Sequence, residues 1–430
     1  MALLPLNLAS LSPANANINA QESRTKKALV GNASQRWLFF TGLILLFIPG
    51  LAYAYLLMPF PGSQNLEAIK VCYYLAKIVL PLRVAGTFLL LFYSVRHFKS
   101  DSNRRKILNV SLFLLGLGTF YFTDVAYKAE AMFEEPKEVK FTNALFNKVP
   151  QSDVIIGVVN NGVAKAYPVE YLGYHHKVQD NVGGKAVLVT YCTMCRTARV
   201  FNPVINGKAE KFRLVGARHY NAIIEDQTTK SWWYQATGAA AVGPAKGSQL
   251  QEVAYEQSTL GGWLAKHPES LIMQPDKHFK TEYAGLKNYD RIQPIDKDKL
   301  QKDKNALVRK SWVLGVVVNK QAKAYDWRRL AKQRVLNDQI INAPLLLGIE
   351  KDSLTFHAWN RMIDGKALHF ATNNKGLLTD SETSSTWNWD GLCISGVNKG
   401  KRLDKIQAYQ EYWHSWKFFH PATTFEKESI

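Results

Sequence analysis

The chain has 430 residues and a net charge of +19, from 54 Lys and Arg against 35 Asp and Glu. Four cysteines in that length exclude a disulfide-dense scaffold. The apolar residues concentrate in the N-terminal third, which excludes one uniform soluble domain and sets that third apart as a membrane region.

Residues 1–35 are biased toward Asn, Ala and Ser and read as a disordered cytoplasmic tail. Three apolar runs follow within residues 36–130: Trp37 to Met58, Ile78 to Val95, and Ile107 to Thr123. Each is long enough, the last two barely, to cross a hydrocarbon core of ~30 Å at ~1.5 Å per residue. The first run lies too far from the start for a cleaved signal peptide, and no small-residue cleavage site follows it.

Basic residues set the orientation. Arg24, Lys26, Lys27 and Arg36 precede the first run, and Arg96, Lys99, Arg104, Arg105 and Lys106 separate the second from the third. The Pro59 to Val71 loop holds only Glu67 and Lys70. The positive-inside rule therefore puts the amino terminus in the cytoplasm, and everything after the third span outside the inner membrane. An extracytoplasmic domain is a poor nucleic-acid partner. Its lysines suit anionic lipid headgroups or acidic ligands, and three spans suggest a further membrane-protein partner. Arg83 and Asp124 are ionisable groups inside the apolar runs. The simplest expectation is that they pair, helped by close helix contact through Gly116 and Gly118.

Residues 150–275 are β-rich. Val154 to Tyr167 reads as two strands about an Asn160-Asn161-Gly162 turn. Lys185 to Tyr191 is a buried strand that delivers Cys192-Thr-Met-Cys195 onto the turn at its end. Helices are expected from Thr259 to Lys266, Trp327 to Lys332 and Tyr409 to Phe419. Residues 276–305 read as a charged, solvated linker.

Residues 306–425 repeat the pattern of residues 150–275. Gly157-Val-Val matches Gly315-Val-Val, Ala164-Lys-Ala-Tyr167 matches Ala322-Lys-Ala-Tyr325, and Ile205-Asn-Gly-Lys208 matches Ile363-Asp-Gly-Lys366. Trp263 and His267-Pro268 match Trp416 and His420-Pro421. Asp226, Thr229, Ser231 and Trp233 recur as Asp380, Thr383, Ser385 and Trp387. Asp, Thr and Ser at that spacing make a hydrogen-bonded turn anchored by Trp, a scaffold role. No Gly-x-Ser-x-Gly elbow or glycine-rich phosphate loop is present. Only the first copy carries the cysteine pair; Glu350-Lys-Asp-Ser353 stands at the matching place. The expected fold is thus β-rich α+β, a tandem duplicated module behind three transmembrane helices.

Cys-x-x-Cys supports three chemistries. The sulfurs can cycle as a thiol–disulfide couple, with Arg196 and Arg199 favouring a thiolate. They can bind a metal, with His176 or His219 completing the set and Met194 between them, a soft set that suits copper or zinc. They can staple the turn as a structural disulfide, leaving a non-catalytic binding or assembly module. Covalent haem would need His directly after Cys195, where Arg196 stands.

The stretch Val187 to Phe201, with Asn206-Gly207, Asn221, Asp226, Thr229, Ser231, Trp233, Gln235, Gly238 and Gly243-Pro244, resembles the bacterial and archaeal family DUF3179. The resemblance is strong over residues 150 to 275 and extends through the repeat to 425. It departs at Thr193, where Pro is common, and at Arg218-His219-Tyr220, where small or apolar residues are usual. The resemblance implies a fold unit and leaves the reaction open.

Overall fold

The computed structural model describes residues 36–99, 102–289 and 310–425. The N-terminal tail and most of the expected linker lie outside the described residues. The chain forms two compact units, one built from residues 36–55 and 71–127, the other from 56–70 and 128–425.

The first unit holds three helices long and apolar enough to cross a membrane: α1 (Arg36–Leu57), α2 (Ile69–His97) and α3 (Asn103–Tyr121), which runs on through a π-helical turn to Ala126. Helix α2 begins at Ile69 rather than at Ile78. Its added turns carry Lys77, whose ammonium lies 4.1 Å from the centre of the Tyr73 ring, so the charge does not break the helix. Helices α1 and α2 touch through glycines: a Cβ on Gly86 would lie 2.7 Å from the Leu46 nitrogen and 2.8 Å from the Gly42 oxygen. Gly116 packs against Leu46, whereas Gly118 meets nothing, so the expected contact uses only one of the two. Arg83 is buried, ion-pairs with Asp124, and donates to Thr123 Oγ1 at 2.8 Å.

In the second unit, residues 150–289 begin with strands β1 (Val154–Asn160) and β2 (Val163–Pro168). Asn161 and Gly162, at φ 47° and 78°, make the tight turn that their residue types favour. Helix α4 (Val169–His175) leads to a three-stranded antiparallel sheet, β3 (Lys177–Val182), β4 (Lys185–Cys192) and β5 (Thr197–Phe201). The hairpin β6 (Phe212–Arg218) and β7 (Asn221–Asp226) belongs to a further four-stranded sheet. Strand β8 (Glu256–Thr259) returns to pair antiparallel with β1, and helix α5 (Leu260–Lys266) tucks Trp263 beneath Gly157.

The segment read as linker starts differently from expectation. Lys277–Phe279 forms a 3-10 turn and Lys280–Leu286 forms helix α6, with Phe279 and Tyr283 buried. Two aromatics four residues apart share one helix face, and burying them against Tyr171 and Tyr174 outweighs the charged surroundings.

Residues 310–425 run β9 (Trp312–Val318), β10 (Gln321–Asp326), α7 (Trp327–Gln333), β11 (Val335–Ile340), β12 (Ala343–Ile349) and β13 (Phe356–Asn360). Strand β14 (Ala408–Tyr412) pairs antiparallel with β9, and helix α8 (Trp413–Phe419) places Trp416 beneath Gly315. The helix expected from Tyr409 therefore starts only at Trp413. Pairing with β9 claims Tyr409 to Tyr412, overriding the helical preference of Gln410 and Glu411.

The two stretches meet edge to edge. Gln257 of β8 donates to Gln410 Oε1 of β14 at 2.9 Å. The Thr259 N–H reaches Thr355 Oγ1 at 3.1 Å, while the Tyr412 N–H reaches the Cys195 carbonyl at 2.9 Å. Beside this seam Lys266 lies 2.5 Å from Glu256, 3.6 Å from Glu350 and 3.5 Å from Asp390, and Lys405 lies 3.3 Å from Glu256.

Burial opposes ionisation of Glu256, yet His357, Lys266 and Lys405 overcome it and hold the carboxyl at about 2. Its folded value is depressed, so its contribution is present above the ordinary glutamate range and is lost as pH falls toward 2. Acid unfolding should therefore steepen below pH ~4. Glu256→Gln should lose about 2 kcal/mol of that pH dependence in urea melts compared between pH 3 and 7. Identical acid profiles for the variant and the parent would contradict this assignment.

Candidate functional site: the buried Cys192–Cys195 turn

Strand β4 is buried along most of its length and ends at Cys192, which pairs with Thr197 of β5 across a tight turn. Arg196 closes the turn at φ 55°, a left-handed conformation costly for a residue with a Cβ. Surrounding contacts hold it there. Its guanidinium carbon sits 3.4 Å from the Trp312 ring centre, its Nε donates to Gln410 Oε1 at 2.9 Å, and an outer nitrogen donates to the Tyr289 carbonyl at 3.2 Å. The Tyr289 hydroxyl in turn bonds the Thr193 carbonyl.

Both sulfurs are fully buried, and all four cysteines of the chain are free thiols. Asn221 Nδ2 donates to Cys195 Sγ at 3.0 Å and to Gln235 Oε1 at 3.1 Å. Gln235 is anchored by donating to Thr190 Oγ1 at 2.8 Å and to the Thr197 carbonyl at 3.0 Å. The Ala236 N–H fixes the Asn221 oxygen at 2.9 Å, so the amide can point only its nitrogen at the sulfur.

The two thiols differ. Burial alone raises Cys192, but hydrogen bonds from the Cys195 thiol and from the backbone N–H groups of Cys195, Ala222 and Met194 outweigh it and bring Cys192 below the usual thiol range. Cys195 moves the other way. Burial, its bond to Cys192, and the negative charges of Cys192 and Glu411 push it well above that range. Of the two, Cys192 is the sulfur that gives up its proton first and Cys195 the one that keeps it.

Beneath the turn, Arg199 is buried 2.5 Å from Glu411 Oε1 of β14, with its guanidinium carbon 3.7 Å from the Tyr409 ring centre. Burial disfavours both charges. It leaves Glu411 raised, while Glu411 more than restores Arg199.

The candidate ligands fall in different places. His176 is buried at the C-terminus of α4, its ring stacked 4.4 Å from Phe133, and burial lowers it to about 4, so it is neutral near pH 7. Its Nδ1 has no hydrogen-bond partner among the described residues. His219 and Tyr220 form the β6–β7 turn at φ 53° and 60°. The His219 ring stacks on Phe418 at 3.7 Å, and its Nε2 lies 3.5 Å from Glu67 Oε1, an ion-pair distance. Met194 packs half-buried in the cluster that holds both cysteines. Among the described residues no group of three or more His, Cys, Asp or Glu is placed to hold a metal ion.

Sequence reasoning missed the second-stretch residues Gln410, Glu411 and Tyr412, and it missed Arg218. The Arg218 side chain is buried and donates to the Leu56 carbonyl at 2.7 Å, to the Ser63 carbonyl at 3.0 Å and to the Leu66 carbonyl. It therefore ties Leu56–Lys70, the link between α1 and α2, to the β-rich fold. Beside it a cavity of about 660 Å³ is lined by Gln64, Glu67, His219, Tyr220, Trp413 and Lys417, among others. Tyr220 separates that cavity from the thiols: its carbonyl oxygen is 3.8 Å from Cys192 Sγ.

Asp226 accepts from Thr229 N at 2.5 Å, Thr229 Oγ1 at 2.7 Å, Ser231 N at 3.1 Å and Trp233 Nε1 at 3.0 Å. Asp380 likewise accepts from Thr383 N and Thr383 Oγ1 at 2.7 Å each and from Trp387 Nε1 at 2.8 Å. These carboxylates are saturated by their own turns. Asp226→Ala leaves several buried donors unmet, at about 1–3 kcal/mol each. Chemical denaturation should show a loss of at least ~3 kcal/mol, and a near-neutral result would place the turn's stability elsewhere.

Fold and site define a class: a β-rich unit with one buried dithiol turn, on a chain whose first unit is three apolar helices. The chain belongs to the family described as protein of unknown function DUF3179, whose model matches residues 132–423. No curated protein and no solved structure matches it.

Proposed function

We propose that Cys192 and Cys195 form a thiol–disulfide exchange site on the extracytoplasmic side of the inner membrane. The unequal pair of thiols carries this reading: one sulfur is favoured as thiolate, while the other keeps its proton and accepts from Asn221. The Cys192 thiolate attacks a disulfide in a partner protein. It forms a mixed disulfide and expels one partner thiolate, which takes a proton. Cys195 then gives up its proton and attacks Cys192 sulfur, expelling the second partner thiol. The partner's disulfide is reduced to two thiols while the Cys192–Cys195 dithiol is oxidised, and the reverse sequence oxidises a dithiol partner. Both sulfurs are buried, so exchange requires the His219–Tyr220 turn to open toward the adjoining cavity. Two consecutive left-handed residues other than glycine make that turn costly to hold closed.

The membrane placement rests on the three apolar helices and the basic residues around them. Packing of Leu56–Lys70 within the β-rich unit supports it, because the charge pattern puts that link and the unit on the same side. The duplication is part of the same reading. It is supported by the matching series β1–β2–α4–β3–β4–β5 and β9–β10–α7–β11–β12–β13, by Trp263 and Trp416 beneath paired glycines, and by the two Asp-centred turns.

Equilibrating the purified protein with glutathione redox buffers, with metal content measured on the same sample, tests the site. The expected outcome is a metal-poor protein whose Cys192–Cys195 pair interconverts reversibly at a defined potential. Stoichiometric copper or zinc that is lost in Cys192→Ser would instead make it a metal centre. A disulfide that glutathione leaves untouched would make it a structural staple.

A further inference from the structure

We infer that the stretch without the cysteine pair completes the dithiol site, with Glu411 and Tyr412 of β14 acting as positioning residues for Cys195. The inference rests on the exchange reading above and assigns the second copy a part in the same site.

Three contacts carry it. The Tyr412 N–H donates to the carbonyl of Cys195 itself, at 2.9 Å. Glu411 is buried 2.5 Å from Arg199, three residues beyond the turn on β5. Gln410 accepts from Arg196 Nε at 2.9 Å, the residue that closes the turn in a left-handed conformation. Consecutive residues of one strand thus grip the backbone and both arginines of the cysteine turn.

The docking is reciprocal. Thr259 of β8 makes the corresponding contacts with the Glu350 to Thr355 turn: its N–H reaches Thr355 Oγ1 at 3.1 Å, and its hydroxyl reaches Asp352 Oδ2 at 2.9 Å. Gln257 and Gln410, one from each strand, bond each other at 2.9 Å. Each copy therefore seats its returning strand on the turn of the other. In one direction the seated turn is capped by Asp352, which accepts from the Leu354 and Thr355 N–H groups at 2.9 Å each. In the other direction the turn carries the sulfurs. A single copy would leave the Cys195 carbonyl, Arg196 and Arg199 without these partners.

Other groups facing Cys195 belong to the first copy: Asn221 at 3.0 Å, and Thr197, whose hydroxyl donates to the Cys195 carbonyl at 3.3 Å. Glu411 is the buried carboxylate of the arrangement. Its charge is one of those that raise Cys195, and removing it leaves Arg199 with the more distant Glu252, 3.8 Å away, as counter-charge, which favours thiolate and hence the reduced pair.

The test measures the Cys192–Cys195 potential in the full chain for wild type and Glu411→Gln. The variant should be more oxidising by about tenfold in the exchange equilibrium, roughly 30 mV. Losing the buried Glu411–Arg199 pair is itself destabilising, so a second measurement uses wild type alone. If β14 influences the pair, the redox state of the pair must in turn influence β14. Amide hydrogen exchange across 408–412 should differ at least about fivefold between the dithiol and disulfide forms, with β12 as internal reference. Equal exchange in the two forms, or an unchanged potential in a folded Glu411→Gln, overturns the inference. Failure of wild type to interconvert at all would defeat the exchange reading instead.

Discussion

One backbone hydrogen bond and one buried ion pair govern the cysteine turn: Tyr412 N–H to the Cys195 carbonyl, and Glu411 to Arg199. The turn ends in a left-handed arginine, Arg196, whose buried guanidinium finds its partners outside β4 and β5. Ring stacking on Trp312 and the bond to Gln410 supply the hold from the other stretch. A buried ion pair of this kind adds little net stability, because desolvation consumes most of the attraction. Its effect is selective, since a shifted register of β14 would leave a buried charge unpaired. The geometry of the sulfurs is therefore coupled to how the two stretches meet.

In the proposed duplication one scaffold serves two ends. Where one turn carries sulfurs, the other carries Glu350, bonded to His357 at 2.7 Å, and the Asp352 cap. The Glu350 to Thr355 turn has an internal cap in Asp352 besides its contacts with Thr259, while the cysteine turn is held at Cys195 and Arg196 by Gln410 and Tyr412 of the other stretch. A turn braced from outside leaves backbone N–H groups free to face a sulfur, and Cys192 receives them. The division of labour follows from which groups each turn spends on its own structure.

Much of the scaffold was legible in the amino-acid order. The Asn161-Gly162 turn needs left-handed residues and has them, and the unbroken apolar run before Cys192 reads directly as a core strand. The Asp226 and Asp380 turns were visible because their donors lie within a few residues. What escaped were contacts between residues far apart in the chain. Nothing local marks Glu411 as the partner of Arg199, or Arg218 as the clasp on Leu56–Lys70. Residues 409–412 resembled the start of a helix because only pairing with β9 makes them a strand. The opening of the expected linker looked solvated because its two buried aromatics are spaced among lysines. Asn221 entered only through the family resemblance, and its role at sulfur depends on the strand pairing that brings β7 beside the turn.

The central claim is that the two thiols are held unequal, with Cys192 the first to ionise. Titrating thiolate absorbance near 240 nm, with and without Cys192→Ser, tests it most directly. With Cys72 and Cys393 replaced by Ser, the account expects one thiolate per chain to form below the ordinary thiol range, to vanish when Cys192→Ser is added, and to be followed by a second ionisation only well above that range. Two thiols titrating together near the ordinary value, or the early step surviving in Cys192→Ser, would contradict it.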